Sequence, residues 1–197
     1  MRGFITILIV LLLPGCSKKS EPGDNLPPPS TYTGFKEFFI PQGSNYSLQN
    51  DYQAFRGPAL KFAAIFDSTA IYQTKNPINQ ADINKLYGVS DGNTHHQENS
   101  ARFGWNWNGK EIQVHAYCYA GGIRENKLIG ISDIGKPHTY SIKADKKRYI
   151  FQFDNKIEYM NRVITDSVLN GYSLYPYFGG DETAPHNIRI YLDETPQ

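Results

Sequence analysis

The chain has 197 residues, of which 40% are hydrophobic and 20% are charged, and this excludes a fibrous or wholly disordered protein. Lys and Arg total 20 against 19 Asp and Glu, so the formal net charge of +1 gives no electrostatic argument for a polyanionic ligand and argues against a nucleic-acid binder. The 14 Tyr, 11 Phe, 17 Gly and 12 Pro favour many short strands over long helices. We therefore expect one all-β domain.

The N-terminal segment has the pattern of an export signal. Arg2 supplies a positive charge, and residues 4–13 are an apolar run too short to span a bilayer, which takes roughly 17–25 residues. The run ends at residues 13–16 in Leu-Pro-Gly-Cys, which resembles the lipobox of bacterial lipoproteins. That resemblance implies a signal peptide over residues 1–15, lipidation of Cys16 and anchoring to the cell envelope, where we expect the outer membrane as the destination.

Residues 16–33 are interpreted as the lipidated cysteine followed by a Pro-rich tether. The segment has no apolar periodicity, and its run of three prolines at 27–29 favours extended polyproline II geometry. The sandwich domain is then expected over residues 34–197. Once Cys16 is lipidated, Cys118 is the remaining cysteine and has no partner for a disulfide, and the strand pattern around it places its thiol in the core.

Short strand-like segments recur through the domain, several of them alternating with period two. They are Phe35–Ile40, Ala59–Phe66 with Ile71–Tyr72 continuing it, Ala101–Trp107, Glu111–Tyr119, Lys127–Ser132, His138–Lys143, Arg148–Phe153, Ile157–Ile164, Tyr172–Tyr177 and Ile188–Leu192. One short helix is predicted near residues 80–87, with Asn79 as N-cap and Gly88 as its stop. Antiparallel strands with loops of mixed length favour a two-sheet jelly-roll or concanavalin-like β-sandwich over a closed barrel.

Two hairpins are predicted. Asn108-Gly109 lies between two alternating runs and is typical of a two-residue type I′ turn, which would set Arg102 opposite His115. A second hairpin surrounds residues 154–156, where a three-residue turn would oppose Phe153 to Ile157 and so match apolar side chains. The first hairpin has one apolar face and one polar face, and the polar face needs a separate explanation.

The polar face of the first hairpin carries a row of side chains at period two, about 6.5–7 Å apart along the strand. Sugars present hydroxyls at their edges and C–H patches on their faces, so carboxylates, amides and imidazoles can hydrogen-bond to them while tyrosine rings stack. We interpret the face as a ligand groove that suits a glycan, formed by Arg102, Glu111, Gln113, His115, Tyr117 and Tyr119. The alternative is the ordinary solvated face of a sandwich strand.

Two groups of carbohydrate-active enzymes bear on this face. Laminarinase-like hydrolases alternate acidic residues along one strand, because retaining hydrolysis uses two carboxylates about 5–5.5 Å apart. Here Glu111 is followed by Gln113 and His115, so the second carboxylate is missing and that hydrolysis is not expected. Residues 113–115, Gln-Val-His, resemble the Gln-x-His strand motif of alginate-lyase-like enzymes. That resemblance implies β-elimination, with Gln113 neutralising a uronate carboxylate, His115 or Tyr117 as base, and Arg102 nearby.

The loop over residues 90–99 is dense in potential metal ligands. Asp91 and Glu98 could supply oxygen to calcium, and His95 with His96 could supply nitrogen to zinc. The spacing is not diagnostic, and adjacent histidines reach one ion only if the loop bends. We therefore expect a polar surface loop and no cofactor, with calcium as the alternative.

Residues 175–186 combine three aromatic side chains, a Gly-Gly pair and two acids just before the last strand. This segment either packs across the mouth of the sandwich or forms an aromatic wall around a ligand. The strings Asn-Ser-Ala-Arg-Phe-Gly-Trp at 99–105 and Tyr-Pro-Tyr-Phe-Gly-Gly at 175–180 are similar to small bacterial surface lipoproteins with a concanavalin-like or jelly-roll sandwich. That resemblance implies the fold and brings no activity with it.

Together these patterns predict a membrane-anchored extracytoplasmic protein that binds a glycan without necessarily acting on it. Two alternatives stay open: a polysaccharide lyase, and a structural or protein-interaction lipoprotein without a small ligand. The sequence contains no phosphate-cradling glycine motif, nucleophile elbow or Cys-x-x-Cys pair, which argues against nucleotide, serine-hydrolase and structural-zinc functions. It leaves the oligomeric state open.

Overall fold

A computed structural model describes residues 32–194. The predicted signal peptide, Cys16 and the tether up to residue 31 lie outside the described residues. Within residues 32–194 the chain forms twelve β-strands and two short 3₁₀ turns, Ser68–Ala70 and Pro77–Ala81, and no α-helix. The strands are β1 (Lys36–Ile40), β2 (Ala54–Gly57), β3 (Ala59–Phe66), β4 (Asn84–Ser90), β5 (Asn99–Trp107), β6 (Ile112–Ala120), β7 (Ile123–Ser132), β8 (His138–Asp145), β9 (Arg148–Phe153), β10 (Lys156–Asn161), β11 (Leu169–Leu174) and β12 (Ile188–Asp193).

The strands form two sheets of six, both antiparallel, so the predicted all-β sandwich is confirmed for the described part of the chain. Sheet A has the order β1-β12-β3-β8-β9-β10, and sheet B has the order β2-β11-β4-β5-β6-β7. The run β4 to β7 folds as a meander and forms four of the six strands of sheet B, while β8 to β10 form a second meander that makes up half of sheet A. Because β12 returns between β1 and β3, the first and last strands of the sandwich are direct neighbours.

The core between the sheets is rich in aromatic side chains. Phe62 and Tyr140 stack with ring centroids 4.8 Å apart, and Phe103 contacts Phe151 edge to face at 5.2 Å. Each such side chain stabilises the fold by about 1.5–3 kcal/mol through burial, which lets the domain hold together without a disulfide. Cys118 is fully buried in this core, as its strand pattern predicted, and burial raises the pKa of its thiol to about 12.

The first hairpin joins β5 and β6 as expected, but its register differs from the prediction by two residues. The loop has four residues, 108–111, so Arg102 lies opposite Tyr117 rather than opposite His115. The side chain of Asn108 accepts hydrogen bonds from the backbone N–H groups of residues 110 and 111, which favours the wider loop. Since side chains alternate with period two, a shift of two residues leaves every side chain on its predicted face.

The second hairpin has a two-residue turn, and the predicted three-residue turn is wrong. Phe153 pairs with Lys156, and Asp154 in the turn has a φ of 48°, a conformation that aspartate tolerates better than most residues. The prediction assumed that apolar side chains of the two strands face the core together, and this does not hold because β10 is the edge strand of sheet A. Its outward side chains Ile157 and Tyr159 remain 52% and 47% exposed instead of meeting the core.

The helix predicted near residues 80–87 does not form. Its first residues belong to the 3₁₀ turn Pro77–Ala81, where the Asn76 side chain accepts from the N–H of Ile78, and the rest begin β4. This strand lies in the middle of sheet B and is buried on both faces, so it lacks the alternation that distinguishes a strand from a helix. Within residues 32–194 no helix has the length and apolar character to cross a bilayer.

Candidate ligand-binding cleft

A cleft of about 350 Å³ opens on the face of sheet B that points away from the core. Strands β4, β5 and β6 form its floor, and the residues around 46–52, 96–97 and 175–180 form its walls. Most of the lining is tyrosine or cationic. The lining residues are Tyr46, Asn50, Tyr52, Lys85, His96, Gln97, Ser100, Arg102, Tyr117, Tyr119, Arg124, Leu174, Tyr175, Pro176, Tyr177, Gly179 and Gly180.

The cleft contains three of the six side chains predicted for the ligand groove, namely Arg102, Tyr117 and Tyr119. The other three do not line the cleft: Gln113 and His115 lie on the same face of β6 nearer the hairpin, and Glu111 lies in the hairpin loop. The side chain of Ile83 separates these residues from the cleft. It fills the space that a Cβ on Gly104 would take, and Gly104 pairs with His115 on β6. The open groove is therefore shorter than the sequence row indicated.

His115 is engaged beside the cleft rather than in it. Its Nε2 lies 2.9 Å from Asn106 Oδ1, and its Nδ1 is buried without a hydrogen-bond partner among the residues that the structure describes. Burial lowers the pKa of the imidazole, so the ring is neutral at pH 7. The Gln-Val-His triplet at 113–115 thus lies outside the cleft.

Arg102 forms the floor of the cleft. Only 8% of its surface is exposed, its Nη2 donates to the carbonyl of Tyr175 at 2.8 Å, and its Nε is buried with no partner in the described part of the chain. Burial lowers the pKa of the guanidinium to about 10, which leaves it charged at neutral pH. Gly88 of β4 faces it so closely that an added Cβ would lie 2.5 Å from Arg102 Cα, so only glycine permits this strand spacing.

Lys85 of β4 extends along the same face. Its Nζ donates to the carbonyls of Ile83 at 2.7 Å and Gly179 at 3.1 Å. The ammonium also lies 5.1 Å from the ring centroid of Tyr117 and 5.8 Å from that of Tyr177, within cation–π range. These contacts hold the charged group at the side of the cleft, between the floor and the wall.

Positive charges are concentrated around this lysine. Burial, followed by repulsion from Arg102 and Arg124, lowers the pKa of Lys85 to about 8, and Asp82 opposes the shift. A lysine with this pKa is mostly charged at pH 7 and loses its charge as the pH rises through about 8. The two arginines thus make it easier for the Lys85 ammonium to lose its proton. An anion bound in the cleft would raise the pKa of the amine again.

The segment over residues 175–180 contributes side chains both to the core and to the lining of the cleft. Phe178 is buried in the core against Tyr72, with ring centroids 4.9 Å apart, whereas Tyr175 and Tyr177 line the cleft. Gly179 has a φ of 115° and donates its N–H to Asn84 Oδ1 at 2.7 Å. Phe178 thus anchors in the core a segment whose neighbouring residues line the cleft.

Glu182 fastens the end of this wall to the rest of the domain. Its carboxylate accepts from the backbone N–H groups of Lys75 at 2.8 Å and Asn76 at 2.9 Å, and from Asn79 Nδ2 at 2.9 Å. The two backbone hydrogen bonds are the main cause of the lowered pKa of Glu182. At neutral pH the carboxylate is therefore ionised and holds the wall in place.

Two further tyrosines form the rim and were not identified from the sequence. Tyr46 and Tyr52 are 56% and 62% exposed, and their rings lie edge to face with Tyr177 and Tyr172, both at 4.9 Å. They belong to an irregular segment without periodicity, which gives no pattern to predict from. Lys85 was missed for another reason, since its residue fell in the wrongly predicted helix.

The residues proposed as metal ligands do not converge. Asp91 is fully buried and bound by Arg162, so it is structural and unavailable to an ion. The loop does bend, since the rings of His95 and His96 lie 4.2 Å apart, but Glu98 is exposed and does not join them in any cluster. Across residues 32–194 no group of three or more His, Cys, Asp or Glu could hold a metal. His96 lines the cleft instead, and burial lowers its pKa to about 4.

No protein-family model and no curated protein matches the chain. Solved structures match at low identity. The alginate lyase AlyC3 is 12% identical with a TM-score of 0.51, covering 80% of this chain and 68% of that chain. A glycoside hydrolase family 16 endo-glucanase from Bacteroides ovatus is 12% identical with a TM-score of 0.50, covering 81% of this chain and 78% of that chain. These similarities confirm the predicted jelly-roll, concanavalin-like sandwich.

Proposed function

We propose that the protein is a glycan-binding module of the cell envelope and that its binding site is the cleft on sheet B. The observation that carries this proposal is the ring of tyrosines, which surrounds a floor of hydrogen-bond donors; its members are Tyr46, Tyr52, Tyr117, Tyr119, Tyr175 and Tyr177. Aromatic faces stack on the C–H faces of sugars, while the phenol, guanidinium and ammonium groups donate to their hydroxyls.

The size and shape of the cleft support the proposal. Its volume of about 350 Å³ is within the range of small-ligand sites. Tyr46 and Tyr52 extend the aromatic surface beyond the floor, which suits a chain of sugars better than a single compact molecule. The fold is a further support, because the alginate lyase and the endo-glucanase that share it are both carbohydrate-active enzymes.

A polysaccharide lyase acting by β-elimination is the second candidate. Tyr117 lies in the cleft beside Lys85 and opposite Arg102, whereas His115 does not line it, so Tyr117 takes the proton-transfer role in this version. Burial, with hydrogen bonding to Tyr119, raises the pKa of Tyr117 to about 12. A phenol at that pKa is protonated at pH 7 and is a poor resting base, which favours binding without catalysis.

A glycan array probed with the wild-type protein and three variants tests the proposal. Tyr117→Ala removes an aromatic ring from the floor of the cleft, and Tyr46→Ala removes one from its rim. Both variants should bind more weakly than the wild-type protein or not at all. Tyr159→Ala is the matched control, because Tyr159 is 47% exposed like Tyr46 but lies on β10 of sheet A. Failure of every glycan to bind would overturn the proposal and favour the third candidate, a protein-interaction lipoprotein.

Turnover separates the module from the lyase. The glycans that bind are incubated with the protein, and the ultraviolet absorbance of an unsaturated uronide is followed. Binding without absorbance change supports the module. A steady rise that Tyr117→Phe abolishes would establish the lyase, and chelator in a parallel sample would reveal any calcium requirement.

We also propose that acyl chains on Cys16 hold the protein on the membrane. The support is the Leu-Pro-Gly-Cys string at residues 13–16 and the apolar run before it. Metabolic labelling with an alkynyl fatty acid should mark the wild-type protein in the membrane fraction. The Cys16→Ser variant should lose the label; retention of the label by this variant would contradict the proposal.

A further inference from the structure

The cleft gathers positive charge that nothing in its lining balances. Lys85, Arg102 and Arg124 line it together, and none of the lining residues in the described part of the chain is Asp or Glu. The whole chain is almost balanced, with 20 basic and 19 acidic residues, so composition alone does not produce this concentration. Asp82 acts on Lys85 from outside the lining, with its carboxylate accepting the backbone N–H of Asp181 at 3.1 Å.

Arg102 is the cation of this group whose burial destabilises the fold most. It is more than nine-tenths buried, and among residues 32–194 its one hydrogen bond goes to a neutral carbonyl while its Nε has no partner. A buried guanidinium without a counter-charge destabilises a fold, because neither water nor an anion compensates the lost hydration. Its presence on the floor of an open cleft indicates that the compensating anion comes from outside the protein.

The geometry suits an anionic group carried on a sugar. Guanidinium and ammonium groups bind carboxylates and sulfate esters through charge-assisted hydrogen bonds. Around these cations the tyrosine rings supply stacking surfaces that a free inorganic anion would not use. The cations that would bind the anionic group and the rings that would stack on the sugar therefore line the same cleft.

We propose that the ligand of the cleft is an acidic glycan whose carboxylate or sulfate ester binds among Arg102, Lys85 and Arg124, while Tyr46 and Tyr52 stack on its sugar rings. This inference rests on the proposed glycan-binding function and deepens it by naming the chemical class of the ligand. It also corrects the expectation from net charge, which found no electrostatic argument for a polyanion. The local charge of the cleft supplies that argument.

Isothermal titration calorimetry with matched ligands tests the inference. Oligosaccharides of uronic acids are titrated beside their carboxyl-reduced forms, and sulfated oligosaccharides beside their desulfated forms, so that each pair differs only in the anion. The acidic member should bind at least about tenfold more tightly, and salt should weaken its binding more. The two pairs also distinguish a carboxylate from a sulfate ester.

Variants locate the charge dependence. Arg124→Ala and Lys85→Met should weaken binding of the acidic form by about three- to tenfold and weaken binding of the neutral form by a smaller factor, so that the preference for the acidic form falls. Arg124 is exposed, so its removal does not threaten folding, which matters because Arg102→Met could fail to fold. Lys146→Ala removes the same charge from the turn between β8 and β9 of sheet A and should change nothing.

Three results would overturn the inference in different ways. If neutral and acidic forms bind equally in a Tyr117-dependent manner, the inference fails and the glycan-binding function stands. If no glycan binds, both fail. If single-stranded nucleic acid or inorganic phosphate binds as tightly as the acidic glycan and Tyr46→Ala and Tyr52→Ala have no effect, the anion site exists but its ligand is not a sugar.

Discussion

Arg162 Nε donates to Asp91 Oδ2 at 2.7 Å, and both side chains are fully buried at the end of β4. Tyr149 OH donates to the same carboxylate oxygen at 3.1 Å, and Arg162 also donates to the carbonyl of Val168 at 2.9 Å. The pair thereby joins the end of a central strand to the loop that leads into β11. A carboxylate that the sequence offered as a metal ligand is thus a fully satisfied structural anchor.

The first prediction concerns this buried pair. Arg162→Met leaves the Asp91 carboxylate buried without its partner and should lower the free energy of unfolding by about 3–5 kcal/mol. Urea denaturation followed by tyrosine and tryptophan fluorescence measures the loss. Asp145→Asn, which weakens the exposed Asp145–Arg148 pair, is the control and should change the stability little, because water screens an exposed ion pair. Equal losses in the two variants would show that the buried pair is not an anchor.

The second prediction concerns the strand spacing beneath the cleft. Gly88→Ala places a Cβ against the backbone of Arg102 and should destabilise the fold by about 1–3 kcal/mol through overpacking. It should also weaken ligand binding, because the floor must move. Gly57→Ala on edge strand β2 is the matched control, since its Cβ would meet nothing closer than Phe55 Cζ at 3.5 Å, an ordinary van der Waals contact. Thermal unfolding of both variants gives the comparison, and a Gly88→Ala protein as stable as the control would contradict the close approach.

The third prediction is a pH dependence of binding. Burial and the neighbouring arginines lower the pKa of Lys85 to about 8, so the amine is protonated below that pH and neutral above it. Affinity for an acidic oligosaccharide should therefore fall as the pH rises from 7 to 9. Burial lowers the pKa of Arg102 only to about 10, so its guanidinium stays largely charged over this range, and His96 is already neutral because burial lowers its pKa to about 4.

The sign of this effect can be checked in two ways. Asp82 raises the pKa of Lys85, but its effect is smaller than those of burial and the two arginines, so the net shift is downward and the trend keeps its sign. An anion in the cleft favours the protonated amine, so binding at pH 8 should take up protons, which calorimetry in buffers of different ionisation enthalpy detects. Lys85→Arg should flatten the profile between pH 7 and 9; an unchanged profile in this variant would assign the titration to another group.

The fourth prediction concerns Cys118. Burial, with Glu125 nearby, raises the pKa of the thiol to about 12, so the native protein presents almost no thiolate at pH 8. In a Cys16→Ser variant, where Cys118 is the only thiol, iodoacetamide should react slowly with the folded protein and completely in denaturant. Mass spectrometry measures the adduct. Rapid labelling of the folded protein would mean that this strand is accessible.

The fifth prediction separates the cleft from the rest of the polar face. His115→Gln should leave glycan affinity within about twofold, because His115 lies outside the cleft lining, while Tyr119→Ala should weaken it by about tenfold. Calorimetry with one tight-binding glycan measures both. A strong loss in His115→Gln with Tyr119→Ala unaffected would move the site toward the hairpin turn and restore the Gln-Val-His interpretation.

Much of the fold follows from local patterns. Asn108-Gly109 marks the first hairpin, and the alternation on either side assigns Cys118 to the core and Arg102 to the opposite face. These assignments survive the error of two residues in register, because a side chain returns to the same face at every second position. The pattern fails where alternation is absent, as in β4, and at the edge strand β10, where outward apolar side chains look like core residues.

The sequence by itself determined the fold class, the hairpin faces, the buried thiol and three cleft residues, since each depends on neighbours along one strand. Only the tertiary structure decided which part of the polar face is open. Ile83 closes it at Gly104, and segments remote in the chain wall the rest, as the contact of Tyr46 with Tyr177 shows. The unbalanced charge beside Lys85 likewise arises because folding brings cations of three strands together, and neither composition nor periodicity records which side chains become neighbours across a sheet.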